Sequence, residues 1–474
     1  MPEQSKSKKL IKNLIYAFSA QGIALLMNAI QLLIIPKFLG EHDFSYFQLF
    51  LFYSTYVGIF HFGLIDGIYL RSGGKHYHNL DFSLMGSQFW YTMIGQVVIA
   101  FGIIGYASVF EHVPEGRFVL YATAINLILT NAINFIGYIF QTTNHTRKYS
   151  ISIMISKVIF IVFIFALIIF RQKRYELFTV LYLAAQTISF GYCLYVGRQI
   201  VFSHIIKPAA ILKEMGINIS VGINLMLSNF ASMLILGSAR LAVKQRWDIL
   251  AFGKISLAVS LTNFFLLFIS QVSMVLFPAL RQTDSGSIKK YYRVLRDGLG
   301  ALLPIIPLFY LPISYVLGLW LPQYKISLEY LALLLPLCIF DGKMQMLCNT
   351  YLKVLRKEKI ILRINVLSVI LSIILSLTGA FVIGNIFAVV IFMSVTVAFR
   401  NIIAEIYLSK IMEMDVVKNI IGEFLLASLF IILSLLTGKI EAFLIYFAAY
   451  AVFIMLRRKG VISSLSTVKG ILKG

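Results

Sequence analysis

The chain has 474 residues, 59% of them hydrophobic and 13% charged, with 42 lysines and arginines against 20 acidic residues. A mean hydropathy of +0.86 excludes an ordinary water-soluble domain, because apolar runs long enough to cross a hydrocarbon core of ~30 Å recur throughout. No Gly-rich phosphate loop of the Walker kind occurs, which excludes direct ATP hydrolysis. The net charge of +22 is read as contact with anionic headgroups and not with nucleic acid.

In lipid, backbone polar groups must be satisfied within the segment, so each apolar run predicts a helix. The basic lead Met1–Lys12 reads as the cytoplasmic flank of an uncleaved first span, Leu14–Ile35, which carries Gln21, Asn28 and Gln31 on one side. Phe44–Leu70 follows with His61 and Asp66 inside it and Arg71 at its end. After Leu84–Phe110 comes Phe118–Phe140, whose Asn126, Thr130 and Asn134, continued by Gln141, fall on a single face. Ile151–Phe170 contains Lys157, and Leu177–Val196 contains Cys193. Gly197–Gly216, near the midpoint, mixes Ile205, Ile206, Ile211 and Leu212 with Lys207, Lys213 and Glu214, and reads as an interfacial linker between two bundles.

Ile217–Ala239 opens the second half with Asn218, Ser220, Asn224, Ser228 and Asn229, and Arg240 closes it. Then come Ile255–Leu280, the polar connection Arg281–Gly298, and Leu299–Leu321 with Pro304, Pro307 and Pro312. Leu328–Leu352 carries Asp341, Lys343, Gln345 and Asn349 together with Cys338 and Cys348. The last four spans are Ile364–Ile383, Ile386–Leu408 with Arg400 and Glu405, Ile420–Leu436 and Phe443–Leu456. The total is about fourteen.

An even count places both termini on one side. If the loop Pro36–Asp43 faces outward, 28 of the 42 basic residues fall inside, 11 outside and three (Lys157, Lys343 and Arg400) within spans. The bias predicts cytoplasmic termini. All three cysteines lie in or at the end of spans, so disulfides are not expected. The histidines have no spacing for metal ligation, and no loop is large enough for a soluble catalytic site, so neither a metal nor an enzyme is expected.

Interhelical hydrogen bonding accounts for one or two polar stripes. Four of them, with ionisable residues at Asp66, Lys157, Asp341, Lys343, Arg400 and Glu405, favour a water-accessible cavity. Asp341 and Lys343 are two residues apart, on nearly opposite helix faces, and cannot simply neutralise each other.

The opening motifs are Ile35-Pro36-Lys37-Phe38-Leu39-Gly40, then Asp43-Phe44-Ser45-Tyr46-Phe47, then Phe62-Gly63-Leu64-Ile65-Asp66-Gly67-Ile68 and Arg71. This opening resembles that of the polysaccharide-transport branch (Wzx-type O-antigen and capsule flippases) of the multidrug/oligosaccharidyl-lipid/polysaccharide (MOP) exporter superfamily. Gln141–Lys148, Lys213-Glu214 and Leu321-Pro322-Gln323-Tyr324 resemble that branch too. Lys37 stands where many relatives have arginine, and Glu41-His42 replaces a more generic turn.

The resemblance implies an all-α polytopic membrane protein with two pseudo-symmetric six-helix lobes and two further C-terminal helices. The expected divisions are residues 1–200, 201–412 and 413–474. It further implies translocation of undecaprenyl-pyrophosphate-linked oligosaccharide across the bacterial cytoplasmic membrane, with polysaccharide polymerase and glycosyltransferases as partners alongside membrane lipids. A cation-coupled multidrug exporter and a membrane-embedded glycan enzyme are the alternatives. Arg71, Lys157, Arg240, Lys343, Arg400 and Lys37 are the expected cations for the pyrophosphate, and Asn126, Asn134 and Asn224 the expected partners of sugar hydroxyls. Asp66 and Asp341 are the expected sites for a coupling Na+ or H+, with no other cofactor.

Overall fold

A computed structural model of the chain describes residues 19, 22–281 and 285–458, side chains excepted at 268 and 270–287. The Met1–Lys12 flank, Gln21 and the start of the first span lie outside the described residues. Among the described residues all regular structure is helical. Eleven helices are long and apolar enough to cross a membrane, or thirteen if two bent pairs each count as one span, and a shorter apolar helix, Gly22–Phe38 (α1), precedes them.

In chain order, the first bent pair is Glu41–Tyr56 (α2), a tight turn over Val57–His61, and Leu64–Ser72 (α3). Phe82–Phe110 (α4), Pro114–Thr142 (α5), Thr146–Ile169 (α6) and Tyr175–Val196 (α7) follow. Each start has a local cause. Asp81 caps α4 by accepting the Leu84 N–H at 2.9 Å. Pro114 opens α5, with Glu115 in the first turn against the helix dipole.

Gly197–Gly216 divides differently from expectation. Arg198–Val201 makes a single turn, and from Pro208 the chain enters one continuous helix to Arg246 (α8). Proline at the first position needs no N–H partner, and the following Ala209-Ala210-Ile211-Leu212-Lys213-Glu214 consists of good helix formers apart from Ile211, so nothing halts the helix before the apolar run.

Beyond it lie Ile249–Arg281 (α9), Ser285–Leu302 (α10) and Tyr310–Trp320 (α11). The second bent pair contains Lys325–Leu334 (α12), Leu337–Lys343 (α13) and Asn349–Val354 (α14), bent by 53° near Pro336. Glu358–Leu377 (α15), Ile386–Met412 (α16), Val417–Leu436 (α17) and Lys439–Leu456 (α18) complete the chain.

Two compact units divide at Phe230/Ala231, inside α8. In the first, α5 is the most enclosed of the long single-helix spans, and its Ala132, Phe135, Ile136 and Ile139 pack with Leu64, Ile65, Ile68 and Phe89. In the second, the bent pair holds the centre: Leu331, Leu334, Leu335, Cys338, Ile339, Leu347 and Tyr351 are fully buried. Outward faces are apolar instead, with Val98, Phe101, Ile169, Leu319 and Val382 all more than half exposed. A helix facing lipid is expected to look this way.

Candidate functional site

In the first unit the polar groups gather around the break between α2 and α3. The two helices bend by 62°. Phe62 and Gly63 both take left-handed backbone, with φ of 52° and 83°, which costs about 1 kcal/mol at a non-glycine residue. The carbonyls freed by the break find side-chain donors. Gln96 of α4 donates to Phe60 O at 2.7 Å, and Asn131 of α5 donates to Val57 O at 3.0 Å and to Gln96 Oε1 at 2.7 Å. Gln96 and Asn131 are both buried, so the repair is made inside the protein and not by bulk water.

His61 pins the same break. Its Nδ1 accepts the Gly63 N–H at 3.1 Å, so the Nε2 edge faces Asp66, 3.6 Å away. Both side chains are 10% exposed.

One turn further on, Arg71 reaches from α3 to the start of α8. Its Nη1 donates to Glu214 Oε1 at 2.6 Å and to Asn218 Oδ1 at 2.5 Å. Asn218 in turn donates to Gln88 Oε1 of α4 at 2.7 Å. Asn218 and Gln88 are buried, while the Arg71 and Glu214 side chains are 37% and 26% exposed.

The second unit holds two buried networks. In one, Arg400 of α16 donates to Asn365 Oδ1 at 2.8 Å, Asp341 Oδ1 at 3.2 Å and Ser232 Oγ at 3.0 Å, and Gln345 donates to the other Asp341 oxygen at 2.6 Å. The other joins five helical regions. Lys343 Nζ lies between the carboxylates of Glu405 and Glu423, and Arg296 Nε meets Glu405 at 2.9 Å. Arg457 reaches Glu423 at 2.9 Å, and Asp297 lies 3.4 Å from Arg296. Arg296, Lys343, Glu405 and Glu423 are at most 1% exposed.

The expected site residues therefore separate. Asp341 and Arg400 come together, whereas Lys343 points away into the glutamate cluster, as the two-residue spacing implied. Lys343 is thus enclosed and does not line an open polar face. Asp66 and Arg71 share α3 but have different partners. Lys157, in the middle of α6, is half-buried and makes no hydrogen bond or ion pair with a described residue. Asn126 is buried and accepts from Thr130 at 3.2 Å. Asn134 is half-buried, Asn224 and Lys37 are exposed, and Arg240 is half-buried near the end of α8.

No protein-family model matches the sequence, and no curated protein matches it. Solved structures do. The lipid II flippase MurJ in an inward closed conformation matches with TM-score 0.64 and 13% identity, over 98% of this chain and 100% of that one. An inward-facing multidrug resistance MATE family transporter of the MOP superfamily matches with TM-score 0.61 and 12% identity, over 83% of this chain and 94% of its own. An outward-facing structure of such a transporter gives 0.51 at 12% identity, over 85% and 94%. The fold is that of MOP superfamily transporters.

On this MOP fold, several polar residues escaped sequence reading. Gln96 and Asn131 stood outside the stripes, because their partners are carbonyls freed by a break that no proline marks. Glu214 falls in the stretch whose pattern predicts an interfacial linker, and its partner lies 143 positions away. One signal was legible: Gly63 and Gly67 are four apart, the spacing that lets two membrane helices approach closely.

Proposed function

We propose that the chain is a flippase that moves undecaprenyl-pyrophosphate-linked oligosaccharide units across a bacterial cytoplasmic membrane by alternating access, for surface polysaccharide such as O-antigen or capsule. The observation that carries this reading is the extent of the likeness: a lipid II flippase is matched along its entire chain and over 98% of this one, against 83% for the inward-facing MATE transporter.

The chemistry suits that cargo. Pyrophosphate and sugar hydroxyls cannot enter hydrocarbon without replacement hydrogen bonds, while the prenyl tail needs none. Arg71 would meet the pyrophosphate near the cytoplasmic opening, with Lys157 deeper in its span and Arg240 towards the outer side; Arg400 and Lys37 are secondary cations. Asn126, Asn134 and Asn224 would meet sugar hydroxyls. Asp66, beside His61, and Asp341, beside Arg400, are the carboxylates that would respond to a coupling Na+ or H+. Glycosyltransferases and a polymerase would supply and consume the cargo, and both termini would be cytoplasmic.

The test is transport by the purified chain in proteoliposomes loaded with an undecaprenyl-pyrophosphate-linked fluorescent oligosaccharide. Protein-dependent exposure of the sugar to a membrane-impermeant glycosidase is expected. Cation-driven efflux of small organic cations with no movement of the lipid would replace this reading with the exporter.

A further inference from the structure

The α3 and α8 backbones touch directly. A Cβ on Gly67 would lie 1.9 Å from Asn218 O, one on Gly222 would lie 2.0 Å from Gly63 O, and one on Gly63 would lie 2.7 Å from Ile223 Cα. No side chain fits into that seam from either helix. Arg71 closes it at one end by gripping Glu214 and Asn218, and Asn218 anchors the grip to the buried Gln88.

The grip is incomplete in an informative way. Both bonds leave from Nη1, and the Nε and Nη2 groups of Arg71 donate to no described residue. A guanidinium has five donors, and its Nε–Nη2 edge is the fork that fits two oxygens of a phosphate. Gln88 Nε2, fully buried, also lacks a partner among the described residues. The clasp thus combines a half-buried carboxylate, a half-engaged guanidinium and a buried, unused amide donor.

We propose that Glu214 is a built-in competitor for Arg71, one that sets a charge threshold for the cargo and locks α3 to α8 until the threshold is met. The inference rests on the flippase reading, in which Arg71 meets the lipid-linked pyrophosphate. A phospholipid headgroup with a single phosphate carries about the charge of the carboxylate it must displace, and gains little. A diphosphate carries about twice that charge and engages the free fork as well. The opposing contact keeps the clasp closed against the abundant membrane phospholipids, and the stronger attraction of the diphosphate opens it.

The experiment measures binding of a diphosphate diester, P1-farnesyl P2-methyl diphosphate, and a monophosphate diester, farnesyl methyl phosphate, to the full-length chain in nanodiscs. It compares the wild type with Glu214→Gln, Glu214→Asp, Arg71→Ala and the double variant Arg71→Ala/Glu214→Gln. Glu214→Gln should tighten both ligands by the same factor, roughly tenfold, because a competitor that either must displace lowers both apparent affinities alike. Glu214→Asp keeps the charge and should keep the wild-type affinities. On the Arg71→Ala background, Glu214→Gln should add nothing. If Arg71→Ala weakens diphosphate binding while Glu214→Gln leaves both affinities unchanged, the competitor role is overturned and the flippase reading stands. If the folded wild type binds neither ligand, both fall together.

Discussion

In the second unit, Lys343 and Arg296 share Glu405 and Glu423 at side-chain exposures of 0–1%, whereas in the first unit Arg71 and Glu214 meet at 37% and 26%. Both are ion pairs between distant parts of the chain, yet their physics differs. The buried cluster has lost its water, so every charge depends on its neighbours and removing one strands the rest. The half-exposed pair keeps part of its hydration, and exchange for another anion costs little. One arrangement fixes helices; the other is built to let go. The same contrast runs through the remaining networks: the Arg400–Asp341 network joins four helices, while the His61–Asp66 pair sits beside a backbone break.

The largest effect that would break this comparison is at Lys343. Lys343→Met leaves two buried carboxylates facing each other, and thermal unfolding in detergent should show a loss of about 3–5 kcal/mol. Adding Glu423→Gln should recover part of that loss, a coupling that a double-mutant cycle reads directly. A melting curve for Lys343→Met indistinguishable from wild type would mean the cluster is not closed.

A smaller effect is expected at the glycine seam. Gly67→Ala places a methyl group 1.9 Å from a backbone oxygen, which cannot yield as a side chain does. A cost of about 1–3 kcal/mol is expected, with faster amide exchange over the start of α8. Unchanged exchange there would show that α3 and α8 are not in direct contact.

The smallest change in stability is expected at the clasp. Arg71→Ala should shift stability by less than about 1 kcal/mol, since the pair is partly solvated, while lowering transport far more than its effect on folding explains. A stability loss as large as that of Lys343→Met would make the two regions alike after all.

Much of the fold was legible because a run of about twenty apolar residues in lipid has a single backbone solution. The spans from Leu84–Phe110 to Leu177–Val196 reappear as α4 to α7 with small shifts at their ends. The site was less legible. The stripe Asn126, Thr130, Asn134 is a real helix face, yet the residue that repairs the α2–α3 break is Asn131, which lies off it. Periodicity reports which residues share a face, and says nothing of which carbonyl will lack a partner on another helix.

Composition and spacing by themselves determined a helical membrane protein and its intramembrane charges at Asp66, Lys157, Asp341, Lys343 and Arg400. Hydrophobic transfer and backbone satisfaction act locally, so local sequence suffices for them. Tertiary structure alone decided which charges are neutralised and which stay available. Lys343 meets Glu405 and Glu423 across 62 and 80 positions, and Arg71 meets Glu214 across 143. Charge pairing is set by distance and hydration in the folded state, and neither quantity is written in the order of the residues.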